Sequence, residues 1–276
     1  MKIKIKSFNK NPKKHIKFFK DRGFLVLENV LSQRDFKDIN KLIINTASIY
    51  LNKKLKYKDL DSPNFNKELI KLRKKSKKKF ALFFDTLQTS IALYKLWSSE
   101  RILKTITKIM ETKIDFISAT DMLVRVDSPI DKRNKLEWHQ DSAYFRQNNS
   151  GYNGLNCWAP LINLSLSMGP LEFLENSHKA GSIKVSKERA GRFKSLQRKI
   201  PEATIKKFNI KKFKLKRGDI IFMNMDTIHR SGENISKLFR MSSICRYHNT
   251  RKKDFNPGLN IYRYSDKRLN KKIHGF

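Results

Sequence analysis

The chain has 276 residues, 39% hydrophobic and 11% aromatic, enough apolar material for a buried core and too much for a disordered polycation. Its 61 Lys and Arg against 25 Asp and Glu give a formal charge of +36, a balance that attracts nucleic acid, an anionic membrane surface or an anionic substrate. Cys157 and Cys245 make no disulfide framework, no stretch approaches the ~20 apolar residues of a membrane span, and the basic N-terminus lacks a signal peptide's apolar run, so a cytoplasmic protein is expected.

Basic residues run along the whole chain, as in Lys2 to Lys20, Lys71 to Lys79, Lys206 to Arg217 and Arg251 to Lys272. They are not gathered with aromatics into a nucleic-acid module, which favours a lysine-rich composition over a dedicated polyanion site. No repeat and no Gly/Ser- or Pro-rich linker divides the chain. One domain over 1–276 is therefore expected, with 1–115 mainly helical, 116–250 a jelly-roll core and 251–276 a basic tail.

In chain order, Gly23 introduces a short strand, Phe24 to Glu28. Ser32 with Asp35 three residues on resembles a helix start, and an amphipathic pattern continues towards Tyr50. The stretch Asn52 to Asn66 is polar. Helical spacing returns over Phe80 to Trp97 and Glu100 to Met110, with Ser98 or Ser99 as a cap between them. From about Phe116 the texture changes to period-2 alternation, clearest in Thr120, Met122, Val124 and Val126. Leu155 to Ser165, Ile205 to Leu215, Gly218 to Asn224 and Leu238 to Tyr247 also read as strands. Turn signals at Gly151, Gly154, Gly169-Pro170, Gly181, Gly218-Asp219 and Gly232 separate them. This pattern predicts a mainly β jelly roll or barrel with helices before it.

His139 and Asp141 stand two residues apart after a predicted strand, so on extended backbone both side chains leave one face and reach one ion. That pair alone is a weak signal in a chain with six His. His229, at the end of the apolar run Gly218 to Asn224 and its turn, adds a third ligand. Two His and one carboxylate form the facial triad of non-haem iron sites, which leaves room for a 2-oxo acid and O2. Arg240, eleven residues after His229 between Phe239 and Met241, offers a planar fork for a carboxylate. Ser242 shares its face.

The segments His139-Gln140-Asp141, GPLEFLENSHK (Gly169 to Lys179) and HRSGENISKLFR (His229 to Arg240), with the early GFLVLENVLS (Gly23 to Ser32), resemble the phytanoyl-CoA dioxygenase family. The resemblance runs from about Gly23 to His248. It implies a double-stranded β-helix core, Fe(II) on His139, Asp141 and His229, and 2-oxoglutarate on Arg240. It further implies a place near the co-substrate for Trp158, a co-substrate or substrate contact for Arg125, and a structural role for Ser177 and His178. Related halogenases replace the metal carboxylate by a small residue, so Asp141 points to hydroxylation, with O2 consumed and succinate and CO2 released.

Candidate substrate contacts are Gln140, Tyr144, Phe145 and Arg146 after the metal motif, and Arg246 and His248 on the strand face of Arg240. Several are basic, which points to a small anionic organic substrate. The basic segment from Lys184 to Lys214 reads as a solvated face or a lid. Rival readings are a non-catalytic jelly roll that binds nucleic acid or anionic lipid, a jelly-roll metalloenzyme without 2-oxoglutarate, and a hydroxylase of protein side chains. Oligomeric state is not legible.

Overall fold

The computed structural model describes residues 2–57, 59–129, 136–145, 147–148, 150–190 and 195–257. The chain opens with a strand that composition does not announce, β1 (Lys2–Lys4), then α1 (Ile5–Lys10), α2 (Pro12–Arg22) and β2 (Phe24–Glu28). Pro12 and the Asn11 side chain start α2, and Gly23 ends it at φ +80, a left-handed value that other residues adopt only at a cost. Helices α3 (Lys37–Leu51), α4 (Pro63–Lys75), α5 (Lys77–Leu87), α6 (Ile91–Trp97) and α7 (Glu100–Ile109) follow. Ser32 and Asp35 bond to each other, the Ser32 N–H and Oγ donating to Asp35 Oδ2 at 2.7 and 2.6 Å, but in a turn ahead of α3, which begins only at Lys37.

Three expectations are corrected. The polar stretch Asn52 to Asn66 contains the start of α4, capped by Ser62 with Pro63 at its first position. The pattern Phe80 to Trp97 is two helices, because Gln88 turns its amide onto the sheet. Its Nε2 donates to the Val124 carbonyl and its Oε1 accepts from the Val124 N–H, both at 2.9 Å. The expected strand Ile205 to Leu215 is largely absent. Pro201 begins a short helix, α8 (Glu202–Ile205), and only β8 (Ile210–Lys212) is extended.

The β part consists of β3 (Ile117–Asp127), β4 (Gly154–Pro160), β5 (Leu171–Leu174), a ribbon of β6 (Ser186–Ala190) and β7 (Ser195–Lys199), β8, β9 (Ile220–Asn224), β10 (His229–Ser231) and β11 (Arg240–Asn249). The larger sheet runs β1-β2-β9-β4-β11-β3, and the smaller runs β10-β5-β8. Apart from the parallel pair β1 and β2, the pairings are antiparallel. The two sheets form the jelly-roll core expected from the sequence, preceded by the helical part.

The helices cover the outer face of the larger sheet. Trp97 Nε1 donates to Ser243 Oγ at 2.8 Å, and the Tyr247 hydroxyl donates to the Trp97 carbonyl at 2.6 Å; all three groups are buried. Alternation on β11 then sends Ser242, Ile244, Arg246 and His248 to the inner face, opposite Pro160, Trp158, Asn156 and Gly154 of β4. Arg125 pairs with Ser242, and Asp127 with Arg240. β3 forms an edge of the sheet, and Gln88 satisfies its outward backbone at Val124, which blunts a pairing edge.

Candidate metal centre

His139 and His229 lie far apart in the sequence yet form an antiparallel cross-strand pair, which sets His139 beside β10 of the smaller sheet. The His139 N–H donates to the His229 carbonyl at 3.0 Å, and the His229 N–H returns the bond at 2.9 Å. Trp138 is held by Arg230, whose guanidinium lies 4.4 Å above its ring and pairs with Glu172 of β5 at 2.7 Å. Asp141 begins a 3-10 turn, Asp141–Ala143, anchored by the Ser142 N–H to the Met225 carbonyl at 3.0 Å.

Backbone carbonyls set both imidazoles. His139 Nδ1 lies 2.7 Å from the Glu137 carbonyl and His229 Nδ1 lies 2.9 Å from the Thr227 carbonyl. A carbonyl only accepts, so each Nδ1 carries the proton and each Nε2 presents a lone pair. Those Nε2 atoms lie 3.5 and 3.7 Å from Asp141 Oδ1. The ligand atoms of the three residues lie within 4.8 Å of one another, and all three residues are buried. Burial lowers the His229 pKa to about 4, with His139 adding to the effect against the pull of Asp141, so the ring is neutral and free to ligate. Burial alone raises the Asp141 pKa, but Arg246 and the two imidazoles outweigh it and hold the carboxyl well below its ordinary range. Asp141 Oδ1 is buried with no hydrogen-bond partner. An unpaired carboxylate oxygen facing two imidazole lone pairs is costly by itself and fits a divalent cation.

The expected co-substrate residues converge on the inner face, with one correction. Arg240 does not hold its fork open. Its Nε and Nη2 both donate to Asp127 Oδ2, at 3.0 and 2.7 Å, and Nη1 donates to the Gly169 and Gly232 carbonyls. Arg125 also donates to Asp127, through Nε at 3.2 Å and Nη2 at 3.0 Å. A guanidinium this buried requires a fixed counter-charge, and the neighbouring strand supplies one. Ser242 Oγ is buried with no hydrogen-bond partner, and Trp158 faces inward from β4.

Other expectations change role. Gln140 is a cross-brace in this structure: its Nε2 donates to the Gly181 and Asp226 carbonyls, each at 2.7 Å, and its Oε1 accepts from the Ile183 N–H at 2.8 Å. Arg246 donates through Nε to Asp141 Oδ2 at 2.7 Å, so its charge is spent beside the metal ligands. Phe145 stacks under Arg246, 3.8 Å from its guanidinium carbon. Tyr144 is part exposed and meets the His139 ring edge-on at 5.9 Å. His248 is fully buried, and neither ring nitrogen has a hydrogen-bond partner. His178 is a loop residue bonded through Nε2 to the Lys20 carbonyl at 2.9 Å. Arg146 and residues 258–276 of the basic tail lie outside the described residues, as does part of the segment Lys184 to Lys214.

Two site residues escaped the sequence reading. Asn156 donates through Nδ2 to Asp141 Oδ2 at 2.6 Å, and Asp127 joins the two arginines. Each had a signal. Asn156 is a polar residue inside an apolar strand and two before Trp158, and Asp127 lies two after Arg125 on an alternating strand.

The phytanoyl-CoA dioxygenase family model matches residues 19–242, and the chain belongs to that family. Among curated proteins none matches. Similar solved structures include the epimerase SnoN of nogalamycin biosynthesis, determined with Fe3+, alpha-ketoglutarate and nogalamycin RO (15% identity, 91% of each chain covered, TM-score 0.57). AviO1 from Streptomyces viridochromogenes (14% identity, 89% of this chain and 96% of that, TM-score 0.56) is another. EvdO2 from Micromonospora carbonacea var. aurantiaca, complexed with 2-oxoglutarate, is a third (14% identity, 89% and 94%, TM-score 0.53). These likenesses establish the fold. Among the described residues no helix is long and apolar enough to cross a membrane.

Proposed function

We propose that the chain is an Fe(II)- and 2-oxoglutarate-dependent oxygenase that hydroxylates a small organic molecule. The observation that carries the reading is the buried triad, in which Asp141 Oδ1, unpartnered, faces the Nε2 atoms of His139 and His229. Iron held there supplies O2 activation coupled to oxidative decarboxylation of 2-oxoglutarate to succinate and CO2.

The protein's own groups prepare that chemistry. The Glu137 and Thr227 carbonyls fix the tautomers, and Arg246 with Asn156 orients the carboxylate. Arg125, Asp127 and Arg240 together carry two cations and one anion. The distal carboxylate of 2-oxoglutarate would lie beside these guanidinium groups and give the buried Ser242 Oγ an acceptor. Trp158 would wall the same cavity and help exclude water.

Hydroxylation is the reading that a retained Asp141 favours, since the metal position a halide would take is filled by the carboxylate. The similar structures include an epimerase and a carbocyclase, so the fate of the oxidised substrate rests on the pocket and not on the fold. The anionic preference drawn from Arg246 loses that support, because Asp141 neutralises the guanidinium.

The test is an anaerobic titration of the metal-free protein with Fe(II) and 2-oxoglutarate, followed by O2. A weak visible charge-transfer band that disappears on aeration, with succinate formed, is expected. Iron binding without the band removes 2-oxoglutarate from the reading, and no iron binding removes the enzyme.

A further inference from the structure

We propose that Arg246 and Asn156 are positioning residues that restrict Asp141 to ligation through Oδ1 alone, so that the metal keeps the coordination positions its co-substrates need. The proposal deepens the metal reading above and rests on it.

A carboxylate can ligate through one oxygen or two. Here Oδ2 is withdrawn from that choice by two short bonds, from Asn156 Nδ2 at 2.6 Å and Arg246 Nε at 2.7 Å. The donors are register partners on adjacent strands, both pointing inward, so one β11–β4 pairing places both. Arg246 is not free to swing away. Arg246 Nη1 also donates to the Asp121 carbonyl at 3.3 Å, and the guanidinium carbon sits 3.8 Å over the Phe145 ring. Phe145 is fixed in turn by its N–H, which donates to the Asp141 carbonyl at 2.8 Å. The contacts close a ring from Asp141 through Phe145 and Arg246 back to Asp141. Oδ1 alone is left unpartnered towards the imidazoles.

The sign of the charge points the same way. A buried guanidinium beside a cation site opposes metal binding by Coulomb repulsion, so Arg246 is not there to raise metal affinity. What it supplies is geometry. A carboxylate that ligates through one oxygen occupies one position, and with two imidazoles it leaves three open; through both oxygens it leaves two. Three are needed for a chelating 2-oxo acid and O2.

The experiment loads Co(II) anaerobically into the full chain. It reads the visible ligand-field spectrum, the metal stoichiometry and the 2-oxoglutarate dissociation constant. Wild type is compared with Arg246→Met/Asn156→Leu and Arg246→Lys. The double variant should bind one Co(II) with affinity equal to or tighter than wild type. Its ligand-field spectrum should be altered, and its 2-oxoglutarate binding weakened about tenfold or more. Arg246→Lys, which keeps a donor, should recover most of the wild-type spectrum. An unchanged spectrum and unchanged 2-oxoglutarate affinity overturn the proposal. So does loss of metal from a folded double variant, which assigns the pair a merely structural role. If the double variant does not fold, Asn156→Ser carries the same test with a smaller spectral change, and no change there overturns it equally. Wild type that binds no Co(II), or binds it unaltered by His139→Ala, overturns the metal reading and this proposal together. Co(II) binding without 2-oxoglutarate binding overturns only the co-substrate, and the spectrum still decides the clamp.

Discussion

His139 and His229 exchange both backbone hydrogen bonds, at 3.0 and 2.9 Å, although ninety residues of chain separate them. Their rings are therefore set side by side, centroids 4.3 Å apart, by main-chain pairing. Replacing either by Ala should abolish Fe(II) binding and turnover while leaving the backbone pair, and so the fold, in place. Anaerobic metal titration with circular dichroism on the same samples checks both halves; wild-type metal affinity in either variant would falsify the assignment.

Arg240 and Asp127 form a buried ion pair at 2.7 Å, shared with Arg125. Arg240→Ala removes one member, and breaking a buried pair costs about 3–5 kcal/mol, moderated here because Arg125 remains. Chemical denaturation should register that loss. In whatever fraction stays folded, the 2-oxoglutarate requirement should rise, because a charge-assisted contact is gone.

The same pair predicts a pH effect. Burial pushes the Asp127 carboxyl up, but Arg125 and Arg240 outweigh it, and the folded-state pKa lies below the ordinary value of 3.8. A group depressed in the folded state contributes stability above its unfolded pKa and loses it as pH falls through the folded one. Melting temperature should therefore fall with acidification below about pH 4. Asp127→Asn should flatten part of that acid limb, and identical limbs in the two proteins would remove Asp127 from the account.

The Trp97–Ser243–Tyr247 link joins the helical layer to the outer sheet face. Tyr247→Phe strands the buried Trp97 carbonyl and should cost about 1–3 kcal/mol, whereas Trp97→Ala opens a cavity and should cost about 3–5 kcal/mol. Urea denaturation ranks them, and the reverse order would mean that the hydroxyl matters more than the packing.

Gly169 sits at φ +66, and a Cβ there would lie 2.5 Å from the backbone of Gly232 and Glu233. The same turn offers its carbonyl to Arg240 Nη1. Gly169→Ala should destabilise the protein by at least about 1 kcal/mol and also weaken 2-oxoglutarate binding. Destabilisation with unaltered 2-oxoglutarate affinity would uncouple the turn from the anchor.

Much of this protein is legible from local chemistry. Alternation over Met122 to Val126 and in Leu238 to Tyr247, with glycines between strands, specifies a β core, because side-chain periodicity and turn geometry act over a few residues; the irregularity at Asp121 that sets Thr120 on the other face from Met122 is not legible. The metal triad is legible for a related reason: a two-residue spacing on extended backbone and a His after an apolar strand each carry meaning alone. Pairing between strands distant in sequence carries none of that. Only the register of β11 against β3 and β4 puts Asp127 on Arg240 and sets Asn156 with Arg246 on Asp141. The same register converts an expected anion-binding arginine into a neighbour of the metal carboxylate. A buried charge takes whichever partner the fold brings within hydrogen-bond reach, and a one-residue slip in register would send that partner to the other face of the sheet.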